Sequence, residues 1–152
     1  MELQLIPITQ DGKLASPVES LSPLASQVVE ATTQLYSAVG YEPPWVGYLA
    51  VENGSFVGSC GFKSPPKNDR VEIAYFTFPG HESRGVATQM ASALIRIATN
   101  KTPAVTVVAQ TLPEENASTS ILKNLQFSFV GPVDHPEDGL VWEWQLANTS
   151  KA

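Results

Sequence analysis

Apolar and polar positions along the 152-residue chain change their spacing several times, and each change marks an element. Leu3–Thr9 is a short apolar run with β-branched residues, read as a first strand closed by Gln10-Asp11-Gly12. From Ser20 to Val39, the positions Leu21, Leu24, Val28, Leu35 and Val39 fall near helical spacing. Pro23 suits the first turn of that helix and Gly40 its stop. Tyr41–Trp45 (YEPPW) is a stiff connector, because each proline fixes its own φ. Trp45–Val51 and Ser55–Phe62 predict a hairpin about Asn53-Gly54. After the polar loop Ser64–Asp69 comes a strand, Val71–Phe78, and then a helix, Arg84–Ala98, with Val86, Met90, Leu94 and Ile97 on one face. Ala104–Ala109 (AVTVVA) is apolar throughout and predicts a central strand buried on both faces. Glu114–Leu125 predicts a shorter helix with Ile121, Leu122 and Leu125 inward. Phe127–Val130 and Leu140–Leu146 predict a last hairpin across the polar loop Asp134–Gly139.

The resulting order is β, α, β, β, β, α, β, α, β, β. A meander followed by alternation predicts an α/β (α+β) fold, with a mixed sheet of about six to seven strands flanked by helices. Residues 1–147 read as one domain and residues 148–152 as a frayed tail; internal repeats and low-complexity stretches are lacking. Sheets of this kind bind ligands outside the carboxyl ends of their strands, where neighbours diverge. The segment Val71–Ala98 places a strand, a Pro/Gly turn and a glycine-bearing helix start at that position. Helix starts carry unpartnered N–H groups and partial positive charge, and Gly85 lets the backbone approach an anion closely. A phosphate or pyrophosphate suits such a site.

Charge narrows the function. The net charge is −6, with no Lys/Arg cluster, which disfavours nucleic acid bound through a basic face. An acidic surface is compatible with a cationic, amine-bearing substrate. Cys60 is the single cysteine, so intramolecular disulfides and cysteine-rich zinc sites are excluded; within Phe56–Phe62 it reads as an inert buried thiol. The N-terminus has neither the pattern of a signal peptide nor that of a membrane anchor, and a cytoplasmic location is the expectation.

Two motifs carry a resemblance. The strand Val71-Glu72-Ile73-Ala74-Tyr75 runs into a loop with Pro79, Glu82, Gly85 and Ala87. Further on, Pro113-Glu114-Glu115-Asn116-Ala117-Ser118 is followed by Ile121-Leu122 and Leu125-Gln126-Phe127. The chain thereby resembles GNAT-superfamily N-acetyltransferases, most closely the ribosomal-protein N-terminal acetyltransferase branch, over roughly Trp45 to Leu146. Gly85 and Ala87 match the last two places of the family's (Gln/Arg)-x-x-Gly-x-(Gly/Ala) loop, whereas Glu82 stands where Gln or Arg is usual.

The resemblance implies a GNAT-like sheet and acetyl transfer from acetyl-CoA, as co-substrate, to a primary amine by direct attack in a ternary complex. It implies no metal. The acceptor would be a small-molecule or peptide amine; homodimers are common among similar proteins, although no surface stripe here demands one. Backbone N–H groups of Glu82, Ser83, Arg84, Gly85, Val86, Ala87 and Thr88 would hold the pyrophosphate, and the backbone of Phe76, Thr77 and Phe78 would pair with the pantetheine arm. Glu82 must point outward, or pair with Arg84 or His81, for the site to bind CoA well. Arg84 is either an electrostatic aid or a solvated charge.

Glu72 is the general-base candidate, working through water. Its alternative is a solvent-facing residue or a partner for Arg70 or Lys67. Leu122 occupies the place of the family's Tyr acid, and in the resembled branch a Ser takes that part, matched here by Ser118. Ser118 is otherwise a helix cap. Asn116, one residue later than the family's Asn, either contacts the pantetheine or caps the helix. Trp45, Trp142 and Trp144 read as core or hairpin packing before acceptor-pocket walls. The departures leave a second reading, a catalytically degenerate CoA-binding regulatory or interaction module.

Overall fold

A computed structural model describes residues 3–14 and 21–146. The tail expected at 148–152, and Ser20 at the expected start of the first helix, lie outside the described residues. Ser22 caps the first helix, α1 (Pro23–Val39), by accepting from the Ala25 N–H, and Pro23 opens it. Gly40 ends it at φ 100°, donating its N–H to the Tyr36 carbonyl at 2.8 Å.

Among the described residues, seven strands form one mixed sheet. β1 (Gln4–Pro7) is shorter than its apolar run and pairs antiparallel with β2 (Gly47–Glu52). β2 turns through Asn53 (φ 51°) and Gly54 (φ 78°) into β3 (Ser55–Phe62), the left-handed pair that a tight hairpin requires. β4 (Arg70–Thr77) pairs antiparallel with β3 and parallel with β5 (Thr106–Thr111). β6 (Phe127–His135) and β7 (Gly139–Leu146) close the other edge, in the order β1-β2-β3-β4-β5-β7-β6. β5 begins two residues later than its apolar run. β6 continues through Asp134 and His135, because polar residues pair well on an edge strand whose side chains meet water.

Helices cover both faces. Gly47 and Gly58 show which helix lies where. A Cβ on Gly47 would meet Thr32 of α1, and one on Gly58 would meet Met90 of α2 (Val86–Lys101). Gly47 pairs with Gly61, three residues from Gly58, so the two-residue strand period sets α1 and α2 on opposite faces. α2 buries Val86, Met90, Ala91, Leu94 and Ala98; Ile97, expected inward, is half-buried. α3 (Ala117–Asn124) packs against β6 and buries Leu122 and Thr119, with Ile121 and Leu125 half-buried. Trp45 packs edge-on against Phe62 at 5.0 Å, and Trp144 is buried with its indole N–H on Thr111. No helix among the described residues is long and apolar enough to cross a membrane.

Candidate functional site

β4 and β5 run side by side only from Arg70↔Thr106 to Ile73↔Ala109. Beyond that point β4 stays bonded to β3 through Cys60↔Tyr75 and Gly58↔Thr77, while Gln110 and Thr111 of β5 follow β7. The two strands diverge, and each turns one backbone edge into the gap. The notch encloses about 100 Å³, lined by Ala74, Tyr75, Gln110, Thr111, Lys63 and Ser118 among others. Thr111 is fixed on both sides. Its Oγ1 accepts the Trp144 indole N–H at 3.0 Å and donates to the Leu112 carbonyl at 3.0 Å.

The loop after β4 leads from the notch to α2. Phe78 is buried, its N–H on the Val57 carbonyl, and the His81 N–H returns to the Phe78 carbonyl to close a turn over Pro79 and Gly80. Gly80 (φ 91°) supplies the positive φ that such a turn needs. Ser83 (φ 64°) and Gly85 (φ 81°) are also left-handed, and Gly85 is the N-cap of α2. The first helical bond runs from the Gln89 N–H to the Gly85 carbonyl at 3.0 Å. The N–H groups of Val86, Ala87 and Thr88 therefore have no acceptor within the helix. No acidic side chain stands in that first turn, and a Cβ on Gly85 would meet nothing within 4 Å. The residues present fit a bound diphosphate.

Side chains around this loop pair differently from the alternatives the sequence offered. Glu82 pairs with neither Arg84 nor His81; its carboxylate turns back to accept the Gly80 N–H at 2.8 Å. Arg84 is exposed but ion-paired. Its guanidinium bonds Glu52 Oε1 at 3.0 Å and His81 Nδ1 at 2.9 Å. Glu52 is only 7 % exposed, and a buried carboxylate needs such a partner. Arg84 is thereby anchored to the end of β2, which steadies the loop.

Glu72 pairs with Lys63 rather than with Arg70 or Lys67, Nζ to Oε2 at 2.8 Å. Arg70 instead reaches across β5 to Glu143 at 3.1 Å. The Lys63 partnership was missed because it depends on the β3–β4 register, in which Phe62 faces Ile73 and brings the following Lys63 beside Glu72. Ser118 lies in the first turn of α3 and lines the notch. Capping falls to Asn116, whose Oδ1 accepts the Thr119 N–H at 3.1 Å while Thr119 Oγ1 accepts the Asn116 N–H at 2.9 Å. Asn116 is thus committed to the cap, and the cap aims the turn that carries Ser118. Leu122, one turn further, is fully buried.

A second cavity of about 200 Å³ lies between α1 and the sheet and shares Lys63, Ala74 and Tyr75 with the notch. Burial pushes the Tyr75 and Tyr48 phenols and the Cys60 thiol each up to about 12. All three stay neutral near pH 7, and Cys60 is an inert thiol, as its apolar neighbourhood suggested. Tyr75 was legible only as part of the β4 motif. Its place between two cavities follows from the divergence of β4 and β5.

A family model described as an acetyltransferase (GNAT) domain matches residues 17–128, well over half of the chain. No curated protein sequence matches with significance. Among solved structures, the chain is similar to the apo form of RimL, a ribosomal L7/L12 alpha-N-protein acetyltransferase. That match has a TM-score of 0.71 and 16% identity, covering 96% of this chain and 93% of the other. An acetyltransferase from Agrobacterium tumefaciens str. C58 matches with a TM-score of 0.64 and 20% identity over 95% and 90% of the two chains. The aminoglycoside acetyltransferase AAC(6')-Ib, solved with coenzyme A, matches with a TM-score of 0.59 and 19% identity over 69% and 66%. At these identities the structures show a shared fold.

Proposed function

Because this chain belongs to the GNAT acetyltransferase family, we propose that it moves an acetyl group from acetyl-CoA to a primary amine held in the cavity beside α1. The observation that carries this reading is the meeting of three features. The β4–β5 notch lies beside the end of β4, from which the loop runs to the free amides of α2, and a second cavity adjoins it through Lys63, Ala74 and Tyr75. When bound, acetyl-CoA would supply a thioester acyl group that accepts the amine and releases a thiolate.

The chain's own residues divide the work. N–H groups from Glu82 to Thr88 hold the diphosphate, helped by the positive end of α2. The Phe76–Phe78 backbone holds the pantetheine arm like an added strand. Glu72 takes the ammonium proton through water, and Lys63 fixes the orientation of its carboxylate. Ser118, which lines the notch, donates its O–H as a hydrogen bond to the leaving sulfur, and Asn116 positions Ser118 through the helix cap. A free thiol has a pKa of about 8.5, so the thiolate is a tolerable leaving group near neutral pH and needs only this hydrogen bond, without full proton transfer. The one cysteine, Cys60, is a buried free thiol, which suits a reducing, cytoplasmic setting.

Leu122 at the place of the family's Tyr acid, together with the Glu82 carboxylate inside the loop, favours the second reading, a CoA-binding module without turnover. Two measurements separate them. Thermal stability should rise with CoA concentration by mass action under either reading. Thiol release from acetyl-CoA in the presence of amines should occur only for the enzyme; its absence across a broad panel would favour the binding module.

A further inference from the structure

Resting on that reading, we infer that the acceptor is a monoamine on an apolar body about the size of one amino-acid side chain, free in solution, and not a polycation. The cavity beside α1 sets the size. At about 200 Å³ it lies below the range of about 300–1,000 Å³ typical for drug-sized ligands, too small to enclose a multi-ring amine.

Its walls set the chemistry. Val28, Thr32 and Leu35 of α1 face Phe76 of β4 across a floor of small residues, Gly47, Gly61 and Ala74. Leu35 is 38 % exposed and Phe76 51 % exposed. Large apolar side chains left open to water at a cavity mouth gain when an apolar ligand covers them.

Charge excludes the alternative. Among the described residues lining this cavity there is no Asp or Glu, and Lys63 is the one formal charge. Binding a second or third ammonium group requires an acidic partner for each, because an unpaired cation loses its hydration without compensation. Lys63 is itself paired with Glu72, so this lining offers no carboxylate to a second cation. One ammonium can still be served: Glu72 lines neither space, but it is the ion-pair partner of Lys63, a residue common to both. The acceptor therefore enters with its apolar body against α1 and its single nitrogen toward the notch.

Steady-state thiol release from acetyl-CoA tests this with 2-phenylethylamine and isopentylamine against spermidine, kanamycin and a short peptide beginning with leucine. The expected result is a kcat/KM at least tenfold higher for the two apolar monoamines than for spermidine or kanamycin. In Leu35→Glu, which places a carboxylate at the rim, the spermidine to 2-phenylethylamine ratio should rise at least fivefold, with stabilisation by CoA unchanged as the control for folding. Equal or faster turnover of spermidine or kanamycin by the unaltered protein overturns the inference and leaves acetyl transfer standing, and turnover of the peptide without the free amines does the same. No turnover of any acceptor, with CoA still stabilising the protein, defeats the transferase reading and this inference with it.

Discussion

Gly85 holds the conformation on which the proposed diphosphate binding depends. At φ 81° a residue with a β-branched side chain is strained by about 1–2 kcal/mol or more, although no neighbour crowds the position. Gly85→Val therefore relaxes the loop away from its binding shape, and restoring that shape on binding should raise the Kd for CoA about tenfold in a calorimetric titration. Glu72→Ala should leave that Kd nearly unchanged while lowering turnover; equal losses of affinity would contradict the division of roles. Ser118→Ala should lower kcat about hundredfold with little change in the KM for acetyl-CoA, the lower end of what a positioned hydrogen-bond donor to developing charge contributes. Residues of this kind were legible because local chain order places them: Gly85 opens a helix after a strand, and Ser118 follows a recognisable motif. Lys63 was not legible as the partner of Glu72, nor Glu52 as the partner of Arg84. Both pairs join residues brought together by strand pairing or loop folding, and no local pattern encodes those distances.

Elements were read well in kind and less well in extent. α3 was expected from Glu114 and begins at Ala117, since Asn116 competes with Ser118 as a cap and wins by forming a reciprocal pair with Thr119. That pairing makes a prediction at the same scale. Asn116→Ala should cost about 1 kcal/mol in urea unfolding and should lower kcat more than it raises KM, because the first turn of α3 carries Ser118 into the notch. Asn116→Asp keeps an acceptor for the Thr119 N–H and should restore both. The hairpin of β2 and β3 was fixed by Asn53-Gly54, whose left-handed backbone few other residue pairs adopt. The divergence of β4 and β5 was expected from the fold class at the carboxyl end of β4, but not its residue-level extent, because that is set where two strands choose different outer partners.

Across the whole molecule, the sheet order and the divergence of β4 and β5 set the notch beside the second cavity, with three lining residues in common. The mixed sheet was foreseeable from a meander followed by alternation, whereas the insertion of β7 between β5 and β6 was not, since it depends on the last hairpin docking by its second strand. The same burial has a consequence for stability. Tyr48 and Tyr75 rise from 10.0 to about 12 and Cys60 from 9.0 to about 12, so the folded protein keeps protons that the unfolded chain releases. Their contribution is complete below about pH 9 and is lost as pH rises toward 12, so the Tm should fall through that window. Tyr48→Phe and Tyr75→Phe should each make the fall shallower, and an unchanged slope would contradict the burial of these phenols. The central claim concerns where the coenzyme sits, and a crystal structure of the protein with CoA tests it most directly. The expected result is a diphosphate on the amides from Glu82 to Thr88 and a pantetheine arm along Phe76–Phe78, its sulfur in the notch near Ser118. A coenzyme bound elsewhere, or a notch closed by the Glu82 side chain, would contradict it.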